Sequence, residues 1–223
     1  MDRSRARCVA INQLVGLLLA ASMLVTAGGC PAMLATGVYL WEGGNWAPAE
    51  CDALRGERVV VICRPPSSHE YRHAGASRSI SQRVSELLVK NVKKIDVVNP
   101  REVDNWVDES DWGDFRELAE AVRADMVVHI EMDHFELYKG TTLYQGRADV
   151  TVSLYDMRDH SRLVWEKHLG EILYPVNSGI PAQDKPVQQF EREFVEIVAD
   201  QIAMHFYRHD PHAAFAIDAM ANR

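Results

Sequence analysis

Apolar and polar positions alternate with different periods along this chain, and each change of period marks an element. Glu57 to Cys63 (ERVVVIC) is a short apolar run stopped by Arg64-Pro65-Pro66, the pattern of a strand buried on both faces. Ile80, Val84, Leu87 and Leu88 recur at helical spacing, so a helix is predicted over Ser79 to Val92, with Ser79 and Gln82 as its capping box. Ile95 to Val98 reads as a brief strand. Asn99-Pro100-Arg101-Glu102 then supplies an N-cap, a first-turn proline and an acid in order, opening a second helix through Val103, Trp106 and Val107. A third starts near Asp114 and buries Phe115, Leu118, Ala119 and Val122.

The middle of the chain turns to strands. Met126 to Leu137, Gly146 to Asp156 and Arg162 to Ile172 are β-rich, with turns at Lys139-Gly140 and Arg158-Asp159-His160. Val150, Val152 and Leu154 alternate with Thr151, Ser153 and Tyr155, as in a sheet wet on one side. After a loop from Pro175 to Pro186, a last helix from about Val187 to Tyr207 places Phe190, Phe194, Ile197, Val198 and Ile202 on one stripe. The order is β-α-β-α-α-β-β-β-α. One mixed β-sheet covered by helices, a single α/β domain over residues 57–207, is the economical packing. Residues 208–223 form a C-terminal tail.

The amino terminus follows another logic. Arg3, Arg5 and Arg7 precede the apolar run Leu14 to Ala27, and Gly28, Gly29 and Cys30 follow it. A basic head, an apolar stretch of this length and small residues behind it describe an export signal over residues 1–29. Ala27-Gly28-Gly29-Cys30 resembles the lipobox of bacterial lipoproteins. That resemblance implies cleavage before Cys30, a diacylglyceryl thioether on its sulfur and acylation of the new terminus. Each buried methylene contributes about 0.8 kcal/mol, so several chains anchor a domain stably. Residues 30–56 are then the lipidated cysteine and a tether, with Tyr39, Leu40 and Trp41 placed for a membrane interface.

Composition narrows the choice of partner. Lys and Arg number 24 against 32 Asp and Glu, a net charge of −8. Loss of residues 1–29 leaves 21 basic and 31 acidic residues. Nucleic acid is excluded as a dedicated partner, because its binders need a basic face to displace counterions. An acidic domain is also not drawn to an anionic bilayer by charge, so the lipid on Cys30 would hold it there.

Candidate chemistry is sparse. His129, Glu131 and Asp133 alternate on one strand face with His134 opposite; they read as a solvated face, or alternatively as a metal site. The His129-x-Glu131 fragment lacks the P-C-x-x-C of zinc deaminases. His205, His209 and His212 lie near the end of the last helix, where the dipole favours protonated imidazole. Arg64 to His73 is the densest polar mixture in the chain. It sits at the carboxyl end of a strand, where ligands of α/β sheets settle, so Arg64, His69, Tyr71 and Arg72 are the candidate partner-binding residues. Cys51 and Cys63, the thiols remaining after lipidation, read as unpaired. No nucleophile elbow, zincin helix, P-loop or dinucleotide fingerprint occurs, and no cofactor is expected.

The element order, the lipobox and the stretch ADMVVHIEMDHFELYKGTTLYQGRADVTVSLYDMRDHSRLVWEK together resemble periplasmic lipoproteins. These are the group of the curli-secretion lipoprotein and the lipoprotein activators of penicillin-binding proteins. The amino-terminal domain of the Tol-system translocation protein has a similar fold. The resemblance spans roughly residues 57–206 and rests on Ala124-Asp125 before the third strand, the strands around Gly146, and Tyr155-Asp156 followed by Val164-Trp165. It implies a lipid-anchored, non-catalytic lipoprotein facing the periplasm, on the inner or outer membrane, that binds a protein partner in envelope assembly or maintenance. The alternative is an envelope metal-dependent hydrolase using His129, Glu131 and Asp133.

Overall fold

Arg58–Arg64 (β1) is apolar on both faces because it is an interior strand, flanked in parallel by Asp96–Val97 (β2) and Met126–Lys139 (β3). The computed structural model describes residues 46–64, 70–109 and 114–211, without the side chains of 70–74. The chain divides into two units, Met1–Trp46 and Ala47–Arg223, and the sheet with its helices belongs to the second. Leu143–Asp156 (β4) and Arg162–Tyr174 (β5) extend the sheet antiparallel from β3, giving the order β2-β1-β3-β4-β5. A two-residue strand, Ile180–Pro181 (β6), pairs with the start of β4. The mixed α/β sheet and the element order match the expectation from pattern, β6 being the addition.

Helices cover the sheet unequally. Glu70–Asn91 (α1) and Val187–Ala203 (α4) lie on one face. Ile80, Val84 and Leu88 of α1, and Phe190, Phe194, Val198 and Ile202 of α4, are sealed there against Val59, Val61, Val128, Ile130, Val150, Val152 and Leu154. Each such side chain contributes about 1.5–3 kcal/mol by burial, which makes this face the main source of stability. On the other face Pro100–Glu109 (α2) and Phe115–Ala121 (α3) cover a smaller area around Val60, Ile62 and Val127, through Val103, Leu118, Ala119 and Val122. Both short helices start as expected. Asn99 Oδ1 accepts from the Arg101 amide and Asp114 Oδ1 from the Arg116 amide, each at 3.0 Å.

Three expectations change. Helix α1 begins at Glu70 rather than Ser79, so the proposed capping box is interior: Ser79 Oγ donates to the Gly75 carbonyl and Gln82 donates to Glu86. The last α-helix ends at Ala203 and tightens into a 3₁₀ turn, Met204–Phe206. The packed unit also reaches further back than Glu57. Leu54 is fully buried and Cys51 nearly so. Residues 47–51 are strapped to the C-terminal turn: Ala47 N donates to the His209 carbonyl at 2.8 Å, His209 N returns to the Ala47 carbonyl at 3.1 Å, and the amides of Glu50 and Cys51 both donate to the His205 carbonyl.

Candidate functional site on the open face of the sheet

Helices α2 and α3 reach along the sheet only as far as the His129 row, so the rest of that face is polar and open. Register places its side chains in rows across β3, β4 and β5. The rows are His129–Ser153–Glu166, Glu131–Thr151–His168, His134–Asp149–Glu171 and Glu136–Arg147–Leu173. Arg64 of β1 extends the second row. Several ionisable groups meet across the rows, although Asp149 Oδ1 is buried without a hydrogen-bond partner. Arg147 Nε is 3.0 Å from Glu171, His168 Nε2 is 3.6 Å from Asp149, and His134 Nε2 is 3.4 Å from Glu136. Thr151 Oγ1 meets His168 Nδ1 at 3.1 Å.

The metal reading of His129, Glu131 and Asp133 is not assembled. His129 is buried under Phe115 of α3, ring centroids 5.2 Å apart, and beside Tyr155, whereas Glu131 is exposed. A register shift between Met132 and His134 leaves Asp133 outside the rows. The same shift lets His134 share a row with Asp149 instead of opposing the face. Among the described residues no group of three His, Cys, Asp or Glu side chains converges on a possible ion.

The first row contains a serine, a histidine and a glutamate that sequence spacing does not connect, because they sit on three strands. The geometry is not that of a nucleophilic triad, in which the imidazole would accept from the hydroxyl and donate to the carboxylate. Ser153 Oγ donates directly to Glu166 Oε2 at 3.2 Å, and His129 Nε2 is buried without a hydrogen-bond partner. Burial, then the positive charge of Arg64, push the His129 imidazole down to about 4, so it is neutral and a weak base at neutral pH.

The candidate partner-binding residues fall at the carboxyl end of β1. Arg64 ends the strand and is exposed, Tyr71 and Arg72 lie in the first turn of α1, and His69 is outside the described residues. Cys30 also lies outside them, as does the interfacial segment around Trp41. Cys51 and Cys63 are both free thiols. Burial pushes the Cys63 thiol up to about 12 against a hydrogen bond from Ser77, so it is not a nucleophile. His205 departs from the helix-dipole expectation. It is 3% exposed, and burial lowers its pKa while Glu50 opposes that shift. His212 lies outside the described residues, and His209 Nδ1 is 3.1 Å from the Tyr207 carbonyl. A cleft of about 470 Å³ opens between α3 and the β4–β5 turn, lined by Arg123, Met157, Arg158, His160 and Ser161. Its Arg158 guanidinium is taken up by Asp156 and Glu57.

No helix among the described residues is long and apolar enough to cross a membrane. No family model matches the chain, and no curated protein matches it. Among solved structures it is similar to the PelC dodecamer from Paraburkholderia phytofirmans, with 12% identity and a TM-score of 0.41 over 71% of this chain and 95% of that one. It is also similar to lipoprotein GNA1162 from Neisseria meningitidis, with 13% identity and a TM-score of 0.41 over 66% of this chain and 98% of that one.

Proposed function

We propose that this chain is a lipid-anchored, non-catalytic domain of the cell envelope, held by acylated Cys30 and facing the periplasm, that docks a protein partner in envelope assembly or maintenance. The observation that carries this reading is the small-residue run ending on Cys30, directly behind a basic head and an apolar segment. The open face supports it: Arg147 is taken up by Glu171, and among the described residues the buried His129 belongs to no group of three possible metal ligands and its Nε2 has no hydrogen-bond partner. Arg64, with Tyr71 and Arg72 at the start of α1, is the surface assigned to the partner, since Arg and Tyr supply apolar area and donors together.

Crosslinking in the native envelope tests the reading. Replacing Arg64 and Tyr71 with Ala should leave the fold intact and reduce crosslinks to the partner. Unchanged crosslinks there, with loss in Glu131→Ala, would move the docking surface to the open face. Unchanged crosslinks in both would remove it from this end of the sheet.

A further inference from the structure

We propose that residues 47–51 form an acid-released strap, latched by the Glu50 carboxylate between Lys167 of β5 and His205 of the C-terminal turn. Among the described residues the strap takes its backbone hydrogen bonds from only two, His205 and His209, and it pairs with no strand of the sheet. It can therefore peel away without breaking a sheet ladder. The side-chain latch is compact. Lys167 Nζ reaches both Glu50 oxygens at 2.7 and 2.8 Å, and His205 Nδ1 lies 3.1 Å from Glu50 Oε1 without the alignment of a hydrogen bond. The His205 ring also packs on Trp165, centroids 5.7 Å apart. Beyond the latch, Cys51 is 8% exposed and Leu54 anchors the following turn in the core.

Titration gives the strap its direction. The charged and titratable groups that bear on His205 are Glu50 on the strap, Lys167 on β5 and His209 on the adjoining segment. In the closed state burial keeps His205 below its ordinary value, and Lys167 holds Glu50 below its own. Opening returns both groups to water and towards those values, so the open state binds more protons. Acidification through the ordinary imidazole range favours opening, and protonation of Glu50 at lower pH adds to it. Each unit by which the closed and open pKa differ is worth up to about tenfold in the opening equilibrium. Release frees five residues, about 17 Å of extended chain. That added reach matters to a membrane anchor only if the lipid reading holds; the opening itself does not depend on it.

Thiol accessibility reads the opening. The full chain in detergent micelles is labelled with a dipyridyl disulfide from about pH 7.5 down to about pH 5.5, a span that brackets the ordinary imidazole value. Peptide mass spectrometry follows Cys51 and Cys63 separately, each normalised to the denatured chain at the same pH. Cys51 labelling should rise several-fold on acidification while that of Cys63, which is partly exposed in the closed state, stays constant. His205→Gln should flatten that response, and Glu50→Gln should raise Cys51 labelling at both ends of the range. Constant Cys51 labelling in the unmodified chain would overturn the proposal. So would a full pH response in His205→Gln, or Cys51 and Cys63 rising together with loss of the near-UV circular dichroism.

Discussion

Gly146 on β4 has no left-handed backbone to explain it; what it supplies is room. A Cβ built there would stand 2.5 Å from Cγ of Phe194 and 2.6 and 2.7 Å from its Cδ atoms. The ring cannot retreat, since it is fully buried and rests against Phe135 with centroids 5.3 Å apart. Gly146→Ala should therefore cost about 1–3 kcal/mol by overpacking. Phe194→Ala should cost about 3–5 kcal/mol by lost burial and the cavity left behind. In the double variant the new methyl enters the space vacated by the ring. The combined loss should then fall short of the sum by at least about 1 kcal/mol, in the range of coupled core neighbours. Urea unfolding of Ala47–Arg223, followed by tryptophan fluorescence and circular dichroism with slopes compared, measures all four corners of the cycle. Additivity to within about 0.5 kcal/mol would refute the claim that Phe194 is what requires glycine at position 146.

His129 has a folded pKa of about 4 against an ordinary 6.5, so the stability it contributes is full above pH 6.5 and is lost as pH falls towards 4. His129→Leu should remove on the order of 2–3 kcal/mol of that acid sensitivity, read as denaturant midpoints at about pH 7 and about pH 4.5; an unchanged difference between them would show His129 accessible to protons in the fold. A fragment starting at Glu57 omits buried Leu54 and Cys51 and should be less stable than one starting at Ala47 by at least about 2 kcal/mol, with equal unfolding midpoints counting against the strap's place in the core. Cys30→Ser should abolish labelling by a fatty-acid analogue and leave the precursor uncleaved, and continued labelling would defeat the lipid anchor.

The strands and the long helices are legible in the sequence because their apolar periods are local. The misses have long-range causes. The front of α1 carries Gly75, Ala76 and Ser77, small residues that add nothing to a hydrophobic stripe, yet Ala76 and Ser77 are buried where the helix lies on β1. Without that signal, the Ser79–Gln82 pair looks like a start. His129 reads as solvated because alternation cannot reveal that Phe115, on another element, lies over it. Its neighbour Asp133 is displaced by a bulge that no spacing rule announces. Leu54 sits in a stretch with no period, and its burial follows from the pairing of residues 47–51 with a turn some 155 residues later in the chain. The candidate loop after Arg64 is legible only as polar composition, which says that a segment is exposed and not what it touches.

The bridge between Ala47 and His209 brings the first and last described stretches of this unit side by side. A chain whose ends meet can be closed into a ring by a short peptide and reopened at another surface turn, because the unit's contacts do not depend on which bond is cut. The β3–β4 turn is suited to the new opening: Gly140 adopts φ +70° there, and the flanking residues are exposed. By the same geometry the stretch from Ala47 to His209 occupies a single point of attachment along a polypeptide. It could be set into a loop of a host protein as a cartridge, entering and leaving through one doorway without prising apart the scaffold that receives it.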